Sequence, residues 1–336
     1  MALDVRLALA TLRRLLRLGL ILLCVASVSF GLMMASPVDP VDAYLGPLVA
    51  QVSPEQRELI ASRWGFDDPA PVQFGRWLQQ LASGNLGVSH VYNQPVGEVI
   101  SQRFTRSIAL LGSAWLLSLL LGFTLGVVAG AKERSALDKL ISAYAYLTAS
   151  TPTFWLALLG VLLFSVYLGW APACCAGPVG VPSQDIHLAT RLHHLVLPVA
   201  TLTLLGTASI TLHTRARMVA LMRSDIARHA FAQGARRADI AWRHGVRHAS
   251  LPALTLALAS LGELFGGSIL IEQVFAYPGL GQATVEAGLR SDVPLLLGIA
   301  LFTTLFVSIG NTLADSLYHM VDPRMRRPSK PRQTTP

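Results

Sequence analysis

The chain has 336 residues, of which 52% are apolar and only 14% are charged, against about 25% charged residues in an ordinary globular domain. With three cysteines and no enrichment of glycine or proline, collagen-like, disordered and disulfide-scaffold proteins are excluded. Two runs, Ser107–Gly130 and Leu140–Ala171, contain 24 and 32 residues without a charge, whereas about 20 apolar residues cross a bilayer. The sequence therefore predicts an all-α membrane protein with several spans.

Six segments have the length and apolar character of a span. They are residues 18–35, 107–130, a stretch interrupted by Pro152 within 140–171, 195–212, 251–271 and 293–313. The first follows a basic stretch, as a secretory signal does, but no small-x-small cleavage site follows it, so we expect a retained anchor. Pro152, Pro198 and Pro294 are expected to mark kinks or starts of spans.

Basic residues are distributed unevenly among the loops, and basic loops remain in the cytoplasm. Of the 27 Lys and Arg residues, 20 lie in the N-terminus, in two loops and in the tail that this rule places inside. Both termini are therefore predicted to be cytoplasmic, and the net charge of +8 reflects topology instead of nucleic-acid binding. The predicted organisation is a cytoplasmic N-terminus with the first span (1–36), an external helical region (37–104), a core of spans (105–320) with a cytoplasmic loop (215–250), and a basic tail (321–336).

The cytoplasmic loop 215–250 has the composition of two short helices. It contains no proline, and Gly234 stands alone between two helix-forming runs. Because glycine accepts the left-handed conformation that ends a helix, Gly234 is predicted to be the C′ residue of the first one. In the external region, Ser53 and Gln56 have the spacing of a capping box at a helix start.

Several strings along the chain resemble one family of permeases. The strings are Asp67-Asp68-Pro69, Asn85-Leu86-Gly87-Val88-Ser89, Thr151-Pro152-Thr153-Phe154-Trp155, Ala230-Phe231-Ala232-Gln233-Gly234, Phe275-Ala276-Tyr277-Pro278-Gly279, and Val321-Asp322-Pro323-Arg324. Their order around six spans is similar to that in permease subunits of ATP-binding-cassette (ABC) importers, in the branch that handles dipeptides, oligopeptides and nickel. Arg228 stands where many importers carry the acidic residue of the coupling motif, and Val38 stands where the family usually has glycine.

The resemblance implies a type I ABC-importer permease fold in a bacterial inner membrane. It implies as partners a homologous permease, two cytoplasmic ATPase subunits and a periplasmic substrate-binding protein, besides the lipid bilayer. No phosphate-binding Gly-x-x-x-x-Gly-Lys-Ser/Thr string occurs, so ATP hydrolysis is expected from another subunit, and no catalytic residue, metal site or cofactor is predicted in this chain.

Loop 215–250 is the candidate ATPase-coupling element. An amphipathic helix with Ile240 and Trp242 on one side and arginines available to polar partners could be gripped in a groove of the ATPase. The alternative is a basic loop that only fixes orientation and contacts lipid head groups. The candidate coupling residues are Ala230, Gly234, Ala235, Arg236, Ile240, Trp242, Arg243 and Arg247.

Glu263, Gly267 and Glu272 are the candidate pathway residues. Acidic side chains inside a bilayer are costly unless they face protein or water, and Gly262, Gly266 and Gly267 would permit close helix approach. The two glutamates are nine residues apart, so a metal site formed by both of them on this helix is disfavoured. The alternative is that Glu263 bonds a neighbouring helix and Glu272 lies in the external interface.

Two cysteines are adjacent, Cys174 and Cys175, in a predicted external loop that histidines follow. Thiolates and imidazoles suit nickel, copper or zinc, but adjacent cysteines rarely chelate one ion together. Whether this pair bonds, binds metal or does neither is left open by the sequence.

The leading interpretation is half of the translocation pathway of an ATP-driven importer. The alternatives are an ion-driven secondary transporter that uses Glu263 and Glu272, and an intramembrane hydrolase, for which no Gly-x-Ser-x-Gly or His-Glu-x-x-His string is present. The residues around Gly262–Gly267 look more like those of nickel or metal-chelate permeases, so nickel or its chelate is favoured over di- or oligopeptides.

Overall fold

Helices dominate the computed structural model, which describes residues 2–35, 41, 45, 52–64, 68–182, 185–290 and 292–321. Two strands of two residues each pair antiparallel, with Val88 opposite Pro95 and Ser89 opposite Gln94. The expectation of an all-α protein therefore holds for the described residues apart from this short hairpin. The chain divides into two units, Met1–Ser107 with Pro278–Ser308, and Ile108–Tyr277 with Ile309–Pro336.

The elements follow one another in this order along the chain. They are α1 Ala2–Met34, α2 Pro54–Trp64, α3 Ala70–Ala82, β1 Val88–Ser89, β2 Gln94–Pro95, α4 Val96–Ala131, α5 Ala136–Ser150, α6 Thr153–Gly160 continuing in a π-helix Val161–Tyr167, α7 Leu188–Met222, α8 Asp225–Ala232, α9 Arg237–Ile240 continuing in a π-helix Ala241–Gly245, α10 Val246–Ala259, α11 Leu261–Val274, α12 Leu280–Leu289 and α13 Val293–Val321.

Each predicted span lies on one or two of these helices, but not every one is a single long helix. Helices α4, α7 and the part Val293–Leu313 of α13 are long and apolar enough to cross a membrane, and the bent pair around Pro152 makes a fourth if it is one span. The apolar part of α1 is the shorter segment Leu16–Leu32, and the fifth predicted span is divided between α10 and α11. The described helices thus supply three or four spans by length.

Pro152 and Pro294 mark a bend and a helix start, as predicted, whereas Pro198 does not mark the start of α7, which begins at Leu188. Thr151 is extended (φ −92°, ψ 132°), as expected for a residue before proline. The chain bends by 107° between the helices on either side of Pro152. Pro198 lies inside α7, and Pro294 is the second residue of α13. The Pro152 interruption is therefore a sharp bend between two helices.

In the first unit, a buried carboxylate fixes the start of α13. Asp292 is 0% exposed, and its Oδ2 accepts hydrogen bonds from Ser89 Oγ at 2.6 Å and from the Val91 amide at 2.9 Å. Its Oδ1 accepts from the Leu295 amide at 3.2 Å, as an N-terminal capping residue does. The hairpin and α13 are thereby held together although 200 residues separate them in the sequence.

A second polar group in the first unit involves Tyr92, whose hydroxyl donates to Glu286 Oε2 at 2.6 Å. Burial and this hydrogen bond raise the pKa of Tyr92 to about 12, so the phenol remains protonated and keeps donating. The Arg103 guanidinium lies 4.6 Å from the centre of the Tyr92 ring and also donates to Gln282 at 3.2 Å.

The predicted capping box at the start of α2 is present. Ser53 Oγ accepts from the Gln56 amide at 3.3 Å, and Gln56 Oε1 accepts from the Ser53 amide at 3.1 Å.

In the second unit, α4 and α7 pack through glycines. A Cβ atom added at Gly122, Gly126 or Gly130 would lie 2.9, 2.5 or 2.5 Å from the nearest side-chain atom of α7. It would also lie 2.7–2.9 Å from a main-chain carbonyl of that helix. These glycines recur every four residues, which places them on one face of α4 and lets the two backbones touch.

Candidate functional site

Helix α8 ends in the conformation predicted for Gly234. The φ of Gly234 is +86°, its amide donates to Phe231 O at 2.9 Å, and the Ala235 amide donates to Ala230 O at 3.1 Å. These two bonds are the pair that defines a Schellman helix ending with glycine at C′. The prediction of a helix end at Gly234 is confirmed.

Helix α9 begins at Arg237, three residues after Gly234, and apolar residues anchor it. Asp239 Oδ2 accepts from the Arg236 amide at 3.1 Å, which satisfies a donor at the helix start. Ile240 is 1% exposed, and Ala241 packs with Met218 and Leu221 of α7. The two short helices are therefore held against the end of α7.

Gly245 makes the closest of these contacts. A Cβ added there would lie 2.5 Å from both Sδ and Cε of Met218, whose side chain is fully buried. A larger residue at this position would require the end of the flexible Met218 side chain to shift. The contact fixes the distance between the π-helix Ala241–Gly245 and α7.

The predicted shared face of Ile240 and Trp242 is wrong. Trp242 is 76% exposed, whereas Ile240 is buried. Residues two positions apart on a helix point about 200° away from each other, so one of the two must face outward when the other is buried. Arg236, Arg243 and Arg247 are exposed as well.

Helix α7 continues to Met222, so the first residues of the predicted cytoplasmic loop, Arg215 among them, lie on this helix. Arg215 Nη2 lies 2.8 Å from Asp138 Oδ2, and Asp138 is 2% exposed. The same carboxylate accepts from the Arg134 amide at 2.8 Å. This ion pair joins the start of α5 to α7, 77 residues further along the chain.

A second ion pair lies beside the first, between Arg223 and Glu133. The hydrogen bond from Arg223 lowers the pKa of Glu133, so this carboxylate stays ionised at neutral pH. Together the two pairs connect Glu133, between α4 and α5, and Asp138, in the first turn of α5, with Arg215 of α7 and with Arg223, which follows α7 directly. Sequence analysis missed both pairs; the available signal was the acidic residues, Glu133 and Asp138, in a segment otherwise rich in basic ones.

The candidate pathway residues all lie on α11. Glu272 is 0% exposed and lies in the last turn of that helix. The side chain of Glu263 lies outside the described residues. Among the residues that the structure describes, no atom lies within 4 Å of a Cβ added at Gly266 or Gly267. Within this part of the chain the predicted close helix approach at these two glycines is not found, whereas Gly122, Gly126 and Gly130 each lie against a second helix.

The open question about the cysteines has an answer in the structure: Cys174 and Cys175 are joined by a disulfide bond. Among the residues that the structure describes, no group of three or more His, Cys, Asp or Glu side chains is arranged to hold a metal ion.

Comparison with known proteins identifies the family. Residues 122–327 match the model of the binding-protein-dependent transport system inner membrane component, and residues 8–111 match the N-terminal model of the same kind of component. An oligopeptide transport system permease protein of Bacillus subtilis is 32% identical over 306 residues, covering 91% of this chain and 95% of the relative. A putative peptide transport system permease protein of Brucella abortus is 39% identical over 307 residues, covering 91% and 95%.

A solved structure supports the same fold. A chain of the MetNI methionine ABC transporter in an inward-facing conformation matches with a TM-score of 0.52 and 16% identity. The match covers 67% of this chain and 96% of that one. At this identity the likeness shows the fold alone.

The chain is therefore a member of the binding-protein-dependent transport system inner membrane components. It belongs to the peptide-transport branch of the ABC-importer permeases and is a permease subunit, a non-catalytic, multi-pass protein of the inner membrane. The family works in general with ATPase subunits and a substrate-binding protein.

Proposed function

We propose that this chain forms half of a translocation pathway for di- or oligopeptides, delivered by an external binding protein. Its other half would be a homologous permease, and two ATPase subunits would bind from the cytoplasm. The relatives reported above are named for peptides and oligopeptides, which supports a peptide substrate. The expectation of nickel or a metal chelate has no support from these relatives.

The segment from α8 to the start of α10 (residues 225–250) is the proposed ATPase-docking element. The observation that carries this proposal is an exposed indole, Trp242, on a helix that packs on α7 through Ala241 and whose Ile240 is buried. A large aromatic side chain that water surrounds in the isolated chain gains free energy when a partner covers it. Because the helix is fastened, a push on Trp242 would move α7 with it.

The basic side chains around Trp242 would orient the partner. Arg236, Arg237, Arg243 and Arg247 are all exposed, and guanidinium groups at the rim of an interface pair with carboxylates of a partner. Such rim charges affect association rate and register more than affinity. A groove with acidic residues at its edge is therefore the expected counterpart on the ATPase.

The test uses Gly234 and Trp242 in the assembled transporter. No atom of the described residues lies within 4 Å of a Cβ added at Gly234, so we expect Gly234→Val to act through the φ of +86°, which costs a β-branched residue more than about 1 kcal/mol. Gly234→Asn is the matched control, because asparagine tolerates this conformation. We expect Gly234→Val and Trp242→Ala to reduce ATPase co-purification and ATP-driven peptide uptake, and Gly234→Asn to keep both. Normal uptake by normally inserted Gly234→Val would refute the docking role.

The alternative of an ion-driven transporter makes a different prediction. Uptake into vesicles would then follow an ion gradient and persist without ATP. We expect uptake to require ATP inside the vesicle and to continue after an ionophore collapses the gradients. Glu263, Gly267 and Glu272 are proposed as pathway residues of the ATP-driven process.

A further inference from the structure

The disulfide lies in the segment 169–182, which follows the π-helix Val161–Tyr167 and precedes α7 (the disulfide segment). Its two cysteines are neighbours in sequence, so the bond closes a ring that contains a single peptide unit. Cys175 has a φ of +74°, which few residues other than glycine adopt. Within the ring, Cys175 therefore has a backbone conformation that is unfavourable for a cysteine outside a ring.

Both cysteines also bond to distant helices through their main chains. The Cys175 amide donates to Phe275 O at 2.7 Å, directly after the end of α11. The Cys174 carbonyl oxygen lies 2.9 Å from His194 Nδ1, in the first turns of α7. The ring therefore fastens the disulfide segment to two helices that are separated by about 80 residues in the sequence.

Apolar packing surrounds the two cysteines. Ala171 and Ala176, on either side of the cysteines, pack against the buried cluster that includes Leu110, Phe275 and Tyr277. The cysteines themselves are half-buried, so part of each residue is exposed. The disulfide is thus accessible to thiol exchange although its main-chain contacts are internal.

Phe275 connects the ring to a candidate pathway residue. The Phe275 amide donates to Ile271 O at 3.0 Å, and the Tyr277 amide donates to Glu272 O at 2.8 Å. Ala276 between them has a φ of +41°, so the chain turns sharply here. A change in the bond between Cys175 and Phe275 acts on this turn, and hence on the end of α11 that carries Glu272.

We propose that Cys174–Cys175 is a thiol–disulfide exchange site that controls how firmly the disulfide segment holds the end of α11. A dithiol protein outside the membrane would reduce it. One of its thiolates attacks a cysteine sulfur, the second thiol resolves the mixed disulfide, and the partner leaves oxidised while both cysteines become thiols. The reduced backbone is free to leave the positive φ of Cys175, the bond to Phe275 is lost, and transport slows. The effect on transport rests on the proposed function and on the predicted external location of this segment.

The first experiment determines the state of the bond without measuring transport. The purified complex is alkylated with iodoacetamide before and after treatment with tris(2-carboxyethyl)phosphine, which takes up oxygen from water as it reduces a disulfide. Peptide mass spectrometry should find no carbamidomethyl group on Cys174 or Cys175 before reduction and one on each afterwards. Alkylation of both cysteines in protein that was never reduced would overturn the proposal.

The second experiment measures the mechanical consequence. Hydrogen exchange of the amides of residues 170–178 and 272–278 should be faster after reduction, because the Cys175 amide loses its acceptor. The control is the double variant Cys174→Ser with Cys175→Gly, since glycine adopts the positive φ without a ring. Its exchange should be insensitive to the phosphine. Equal exchange in oxidised and reduced wild type would refute the fastening role.

The third experiment measures peptide uptake into proteoliposomes with ATP inside and the impermeant phosphine outside. Uptake by wild type should fall at least about threefold on reduction, as expected when a segment that sets a conformational step is loosened. The double variant should be unaffected, which excludes effects on the binding protein. Unchanged uptake by fully reduced wild type would refute the control of transport while leaving the importer assignment intact, whereas absence of any ATP-driven uptake would refute the proposed function instead.

Discussion

The glycine contact between α4 and α7 gives the sharpest prediction. In Gly126→Ala, the new methyl group would lie 2.5 Å from Thr214 Cβ and 2.7 Å from the Thr211 carbonyl oxygen. The carbonyl belongs to a helix backbone and cannot rotate away as a side chain does. The two helices must therefore separate locally.

The change in the free energy of unfolding caused by Gly126→Ala is the sum of two opposing contributions. Forcing extra volume into a close-packed contact costs about 1–3 kcal/mol, and alanine is favoured over glycine within a helix by about 1 kcal/mol. The matched control is Gly112→Ala on the same helix, where no atom lies within 4 Å of an added Cβ. Both variants share the helix term, so the difference between them isolates the packing cost of about 1–3 kcal/mol.

The assay is thermal unfolding of the purified protein in one detergent. A loss of about 1–3 kcal/mol corresponds to a lower apparent Tm by about 2–12 °C, given about 2–4 °C per kcal/mol for chains of 150–250 residues. The variants should rank by contact distance, with Gly126→Ala and Gly130→Ala more destabilised than Gly122→Ala, and Gly112→Ala least. If Gly126→Ala and Gly112→Ala unfold at the same temperature, the close approach of the helices does not exist in the membrane protein.

Three further predictions concern charge, topology and the pathway. Asp138→Asn and Arg215→Leu should each lower the free energy of unfolding, because each single change leaves a charged or polar partner unpaired. The double variant should lose about 0.5–3 kcal/mol less than the sum of the two single losses. Strictly additive losses would argue against the ion pair. Ser83 and Gln233 are both exposed positions, predicted to lie outside and inside the membrane respectively. An impermeant thiol reagent on intact spheroplasts should label a cysteine introduced at Ser83 but not one at Gln233. Labelling at Gln233 before lysis would overturn the predicted orientation. Glu272→Gln removes the charge but keeps the shape of a fully buried side chain. It should reduce the uptake rate about tenfold or more, which corresponds to a barrier about 1.4 kcal/mol higher, while ATPase binding persists. An unchanged uptake rate would indicate a structural role for Glu272.

The sequence by itself determined the features that depend on a few neighbouring residues. The helix end at Gly234 and the capping box of Ser53 with Gln56 could be predicted because glycine, serine and glutamine act on backbone groups within about four positions. The bend at Pro152 follows in the same way from a missing amide hydrogen and a restricted preceding residue. Apolar content and the distribution of basic residues determined the membrane class, because transfer into a bilayer depends on composition more than on packing.

Only the tertiary structure decided which residues meet across the fold. Glycines recur both in α4 and in α11. Gly122, Gly126 and Gly130 lie against a second helix backbone, whereas Gly266 and Gly267 have no such contact with the described residues, since contact depends on the rotation and register of the partner helix. The same dependence brings Asp138 to Arg215 and turns Trp242 outward while Ile240 is buried. The tertiary structure also places Phe275 and His194 beside the two adjacent cysteines, where they form hydrogen bonds with the main chain of the disulfide. Such contacts arise from free-energy differences summed over whole helix faces, and no local sequence rule contains that sum.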